Sequence, residues 1–230
     1  MTEATQALII GSTGGIGRAL VEQVRASGRY DLVTALSRSS SPAIDITDEA
    51  SIVSAIDAVA GQGVLRLVIL ATGFLHHGAI GPEKANRHLR GEALAQAFAV
   101  NTIGPALVLK HVLPLLPRSG RSVVMALSAR VGSIYDNRLG GWHSYRASKA
   151  ALNQIVRTCA IELARTHRDA VLVAMHPGTV DTPLSRPFSR SGLDVQQPED
   201  AAGAILAGLD TLTPSESGQF FDRTGKRLPY

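Results

Sequence analysis

Ala7-Leu8-Ile9-Ile10-Gly11-Ser12-Thr13-Gly14-Gly15-Ile16-Gly17 is the stretch that decides the fold. Four consecutive apolar residues read as a strand buried on both faces. Glycines follow at once, and Ile16, Leu20 and Val24 then recur at helical spacing toward Ala26. Glycine at the turn lets the backbone take positive φ and approach a ligand closely. The helix N-terminus beyond it offers free N–H groups and partial positive charge to an anion. Gly17 would let the helix pack tightly on the sheet. The spacing is Gly-xxx-Gly-x-Gly, without the Lys-Ser/Thr that ends a triphosphate loop. It therefore suits a pyrophosphate, the competing reading being a tight turn without ligand.

The same alternation continues outward. Apolar runs at 32–36, 65–70, 122–127, 171–175 and 218–221 read as strands. Helical patterns cover 48–59 (with Asp48 as cap), 92–113 (with an internal Gly104-Pro105), 143–166 and 198–209. Strands alternating with helices predict an α/β fold, a doubly wound parallel sheet of about seven strands with helices on both faces. No repeat or linker interrupts the pattern, so residues 1–230 read as one domain. Of the 230 residues 45% are hydrophobic and 18% charged, which excludes disorder, and 4% aromatic leaves the core to Ala, Val, Leu and Ile. One Cys excludes a disulfide scaffold and points to the cytoplasm. The seven His have no partners at ligand spacing, so no metal is expected. The polar segment 1–6 is no signal peptide, and no apolar run of about 18 residues is seen, so no membrane is expected. The net charge of +4 is scattered, so no nucleic acid is expected either.

Tyr145 and Lys149 begin the Ala-rich 143–166 helix, four residues apart and so on one face. A phenol with pKa near 10 is a poor acid or base at neutral pH. A neighbouring ammonium favours the phenolate and lowers that value. The pair thus reads as a general acid/base, the plain alternative being a surface Tyr and Lys at chance spacing. Arg38, flanked by Ser37 and Ser39 after the second strand, stands where an acid would select NAD. A guanidinium there suits a 2′-phosphate, so NADP(H) is favoured over NAD(H).

The glycine spacing and Tyr145-xxx-Lys149 resemble the short-chain dehydrogenase/reductase family over nearly the whole chain. Ser128-Ala129-Arg130-Val131-Gly132-Ser133-Ile134 and the Asp136-Asn137…Gly140-Gly141 loop look like its sniffer-type carbonyl reductases and C-factor proteins. The resemblance implies a Rossmann fold and hydride transfer between a nicotinamide and a small carbonyl or alcohol substrate. It implies Tyr145 as acid/base, with Lys149 lowering its pKa and holding the nicotinamide ribose. Asn101 would support a proton-relay water, and Ser128 would bind the carbonyl. Ser133 is runner-up, because Ala129 occupies the usual serine position. Ile10 and Ala71 depart from the family's Thr and Asn. The implied cofactor contacts are Gly11, Ser12, Thr13, Gly15, Ile16 and Gly17; Arg38; Asp45 and Ile46 at the adenine; Ala71, Thr72 and Gly73; Tyr145 and Lys149. Pro177, Gly178, Val180 and Thr182 would complete them at the carboxamide. Asp45 reads equally as a plain turn residue. Trp142-His143 either lines the substrate cleft or packs in a loop, and the short segment after Thr182 reads as a small lid. The long helices imply a homodimer or homotetramer. A nucleotide-binding signalling protein with little turnover is the second functional expectation, motivated by Ala129 and Ala71.

Overall fold

The computed structural model describes residues 3–78, 81–188 and 194–230. The first apolar run forms β1 (Thr5–Ile10), with Ala7 to Ile10 wholly buried, and the glycines lead into α1 (Gly15–Ala26). β2 (Leu32–Leu36), α2 (Glu49–Val59) and β3 (Val64–Leu70) follow. Asp48 caps α2 as read from the sequence, accepting from the Ala50 N–H at 3.0 Å. Then come α3 (Gly91–Phe98), α4 (Gly104–Val112), β4 (Ser122–Leu127), α5 (His143–Leu163) and β5 (Ala170–His176). The two-residue strands β6 (Thr179–Val180) and β7 (Val195–Gln196), α6 (Pro198–Thr211) and β8 (Phe220–Asp222) complete the order.

The main sheet runs β2-β1-β3-β4-β5-β8, and every pairing is parallel. It has six strands, where the sequence suggests about seven. The additional pairing, β6 with β7, forms a separate two-stranded sheet, too short to extend the first. Side chains of β1, β3, β4 and β5 alternate between two cores. One face meets Ile52 and Ile56 of α2, Val108 of α4 and Leu152 and Val156 of α5. The other meets Leu20 and Val24 of α1 and Ile205 of α6. The Rossmann-like expectation therefore holds.

The helix expected over 92–113 contains a π turn at Ala99–Ile103, in which the Gly104 N–H donates to Ala99 O. Pro105 has no N–H, so the Asn101 carbonyl loses its normal helical donor. The apolar helical run Gly91–Leu115 has the length and hydropathy of a membrane span, contrary to the sequence expectation. Its α4 residues Val108, Leu109 and Val112 pack in the core beneath the sheet.

Candidate active site

The chain order reverses between β2-β1 and β1-β3, which opens a crevice at the C-terminal ends of β1 and β3. Gly11 (φ +90°) turns the chain there, its N–H donating to Leu36 O at 2.9 Å. A Cβ on Gly11 would lie 2.8 Å from the Ala71 carbonyl, and one on Gly17 only 2.1 Å from Gly11 O. These glycines let three backbones converge. The α1 N-terminus has no side-chain cap and no acidic residue in its first turn. Its N–H groups are thus left for an exogenous anion, and Thr13 and Gly14 are exposed beside them.

α5 presents the acid/base candidates on the next strand. Lys149 is buried, and its Nζ donates to Leu127 O at the end of β4 at 2.8 Å. Burial pushes the Lys149 ammonium down to about 7 and the Tyr145 phenol up to about 12. Desolvation by the surrounding protein is the cause in both cases. Asn101, fully buried in the π turn, accepts from the Phe74 N–H and donates to Phe74 O, both at 2.8 Å, and to Ser148 Oγ at 3.0 Å. It clamps the chain leaving β3 to α5. A Cβ on Gly73 would lie 3.9 Å from Asn101 Oδ1 and 4.0 Å from Lys149 Nζ, so the two groups meet over a bare glycine. Ser128, also buried, donates its proton to Asn153 Oδ1 at 2.7 Å. Ser133 Oγ accepts from the Asp136 N–H at 3.1 Å and keeps its own proton.

Glu83 carried no signal in the sequence. It lies in the irregular segment before α3, 61 residues from its partner, yet it is only 5% exposed. Its carboxylate accepts from the Ser144 N–H at 3.1 Å and from the Ser144 hydroxyl, and its carbonyl accepts from the Trp142 N–H. Glu83 thus caps α5 from outside. It also holds Trp142 at φ +53°, in the left-handed region that L-residues avoid. Thus oriented, the Trp142 ring stands edge-to-face with Tyr145 at 6.2 Å and with Phe188 at 5.4 Å, while Phe188 meets His76 at 5.3 Å. The Trp142 ring thus packs with Tyr145, Phe188 and, through Phe188, His76 in one aromatic group. Desolvation pushes the Glu83 carboxyl up, but its hydrogen bonds to Ser144 prevail and hold it below the ordinary 4.5. Its stabilising effect is therefore present above pH 4.5 and is lost as pH falls through the lowered value. Glu83→Gln is expected to cost about 1–3 kcal/mol at neutral pH and to flatten the acid limb of stability, read from urea midpoints against pH.

At the outer end of the crevice Arg38 is exposed after β2. Asp45 closes a turn, one oxygen accepting from the Thr47 N–H at 2.9 Å and hydroxyl at 2.7 Å. Thr47 thereby lowers its pKa, with Arg38 a minor contributor. A Cβ on Gly104 would lie 2.6 Å from Ile46 O, so α4 supports this segment directly. Thr182 packs its methyl on Gly15, within 2.7 Å of where a Cβ would stand, and its hydroxyl meets Ser185 Oγ at 3.0 Å. The expected lid lies partly outside the described residues, which omit 189–193.

A six-stranded parallel sheet with an uncapped glycine turn at its switch point defines a Rossmann-like protein. The chain belongs to the short-chain dehydrogenase/reductase family of oxidoreductases: residues 11–207 match that family's model described as enoyl-(acyl carrier protein) reductase. The 1-hydroxy-2-glutathionyl-2-methyl-3-butene dehydrogenase of Rhodococcus sp. (strain AD45) is 28% identical, over 97% of this chain and 98% of its own length. The C-signal protein of Myxococcus xanthus is 36% identical, over 60% of this chain and 78% of its own. An NADPH-bound carbonyl reductase from chicken fatty liver superposes with a TM-score of 0.85 over both whole chains, at 24% identity. The family resemblance read from the sequence is correct.

Proposed function

We propose that the chain is an NADP(H)-preferring carbonyl reductase and alcohol dehydrogenase with Tyr145 as its general acid/base. The observation that carries this reading is the convergence of Asn101 and Lys149 on Gly73, beside the uncapped α1 N-terminus and on the helix that bears Tyr145. The glycine turn fits a dinucleotide: its bare Cα atoms admit close approach, and its free N–H groups match a pyrophosphate. Gly11 to Gly17 would hold that group, Arg38 the 2′-phosphate, Asp45 and Ile46 the adenine, and Ala71 to Gly73 with 177–182 the nicotinamide end. When bound, the cofactor supplies the hydride.

The chain's own residues manage the proton. Tyr145 holds its phenolic proton firmly and gives it to the substrate oxygen as negative charge develops there. Lys149, fixed on the Leu127 carbonyl, is poised between its charged and neutral forms near pH 7 and replenishes that proton. Asn101 holds the floor of the site rigid, and the carbonyl it frees at the π turn would receive the relay water. The carbonyl-binding hydroxyl is Ser128 or Ser133. Ser128 must release Asn153 to donate, whereas Ser133 has its proton available. The exposed Ile103 and Ile161 on the outward faces of the two long helical stretches support a homo-oligomer.

Turnover of NADPH with a panel of aldehydes, ketones and quinones tests the reading, and cofactor binding with no turnover on any of them overturns it. No structural observation favours the signalling alternative. Arg38→Ala is expected to weaken NADPH binding about ten-fold or more, the loss of one charged contact, while NADH binding stays within about two-fold. Titration of the two cofactors against intrinsic fluorescence measures this.

A further inference from the structure

Beside Gly178 (φ +86°), two nitrogen donors point at one spot. A Cβ built on Gly178 would lie 2.8 Å from Arg223 Nη1 and 3.0 Å from Gln196 Nε2. Those nitrogens are at most about 6 Å apart, a gap one carboxylate spans with two charge-assisted bonds of about 2.8 Å. Gln196 Nε2 is buried without a hydrogen-bond partner, and so is the neighbouring His176 Nδ1. The Arg223 side chain is 27% exposed, and its ion pair is a loose 3.9 Å contact with Asp194, whose own side chain is 86% exposed. Half-burying a guanidinium and orphaning a buried amide are both costly, and a bound anion would offset both costs.

The surroundings support an anion. Arg130 and Arg223 both act on His176, which desolvation first of all holds neutral, at about 4. Oδ1 of the nearby Asp222 carboxylate accepts from the Thr224 and Lys226 amides at 2.9 and 3.1 Å. Both donors stand on rigid supports. Gln196 is registered against Val180 in the β6–β7 pair, and Arg223 begins the turn that Asp222 closes. Gly178 itself opens the segment assigned above to the nicotinamide end.

We propose that Arg223 and Gln196 form a carboxylate-binding subsite next to the reaction centre. As a substrate subsite it rests on the carbonyl reductase reading; as an anion site it does not.

Benzoate is the direct probe, titrated by calorimetry into the NADPH-loaded protein. Arg223→Ala and Gln196→Leu are expected to weaken its binding about ten-fold each, and Asp194→Asn, which removes a competing carboxylate, to strengthen it. Arg223→Lys keeps the charge but loses the planar fork, so it should also weaken binding, and it guards against a misfolded alanine variant. Absence of benzoate binding, or equal affinity in wild type and all four variants, overturns the proposal. The kinetic arm compares KM for 4-carboxybenzaldehyde and benzaldehyde. If Arg223→Ala raises the KM ratio about ten-fold, the substrate supplies the carboxylate. If that ratio stays constant while benzoate binding is lost, a free anion occupies the site. If no aldehyde is turned over, the carbonyl reductase reading fails, while the benzoate titration still decides the subsite.

Discussion

Tyr145→Phe is expected to lower carbonyl reduction by about 10²–10⁴-fold while NADPH binding and the unfolding midpoint stay near wild type. The substitution removes a single oxygen, and no hydrogen bond among the described residues depends on that hydroxyl, so the ring keeps its edge-to-face contact with Trp142. What is lost is the proposed acid. Because burial pushes the phenol up to about 12, Tyr145 stays protonated across the working range and pH does not switch it. Lys149 is the group that changes charge near neutrality, at about 7. In the reduction direction kcat/KM, which reports the free enzyme, should fall as pH rises through about 7 and Lys149 loses its proton. A pH profile flat to pH 9, or a Phe variant with wild-type turnover, contradicts these assignments.

Gly17→Ala is expected to be the most damaging glycine-to-alanine change among the described residues. Its Cβ would stand 2.1 Å from Gly11 O, and that oxygen belongs to backbone fixed by the Leu36 and Ala71 contacts. No rotamer relieves a clash between a Cβ and a carbonyl oxygen. Either α1 moves away from the sheet or the glycine turn opens, and both displace the N–H groups that would receive the pyrophosphate. We expect a loss of about 3 kcal/mol, at the upper end of overpacking costs, and a fall in melting temperature of about 6–12 °C. Dinucleotide affinity should drop with it. Gly14→Ala is the control: its Cβ would meet Gly11 O at 3.5 Å, ordinary contact, and Gly14 has negative φ. Thermal unfolding of both variants with and without NADPH separates the clash from a general intolerance of side chains in the loop.

The parts legible in the sequence are those with short-range causes. β1, the glycine turn and α1 are contiguous, Asp48 caps the helix that follows it, and Tyr145 and Lys149 share one helical face by spacing alone. Asn101 was legible through Gly104-Pro105, although the π turn it occupies is not a pattern that spacing reveals. Glu83 was not legible. Its partner lies 61 residues away, and the segment that carries it has no period. The desolvation that acts on Tyr145 and Lys149 was not legible either, because spacing reports proximity, whereas burial is a tertiary property. The Ser128–Asn153 bond was hidden for the same reason: Asn153 lies two turns further along α5, and only the fold brings the end of β4 beneath it.

The cap on α5 also bears on the direction in which the chemistry is biased. Tyr145 sits in the first turn of a 21-residue helix, where the aligned peptide dipoles would favour a phenolate. A buried carboxylate at that helix end opposes this field. With Glu83 ionised, its charge offsets part of the pull of the helix end on the Tyr145 proton, in the same direction as the burial that raises the phenol. Under the proposed role of Tyr145, this favours proton delivery to carbonyls over proton withdrawal from alcohols, and Glu83 would exert that influence from the far side of the helix end.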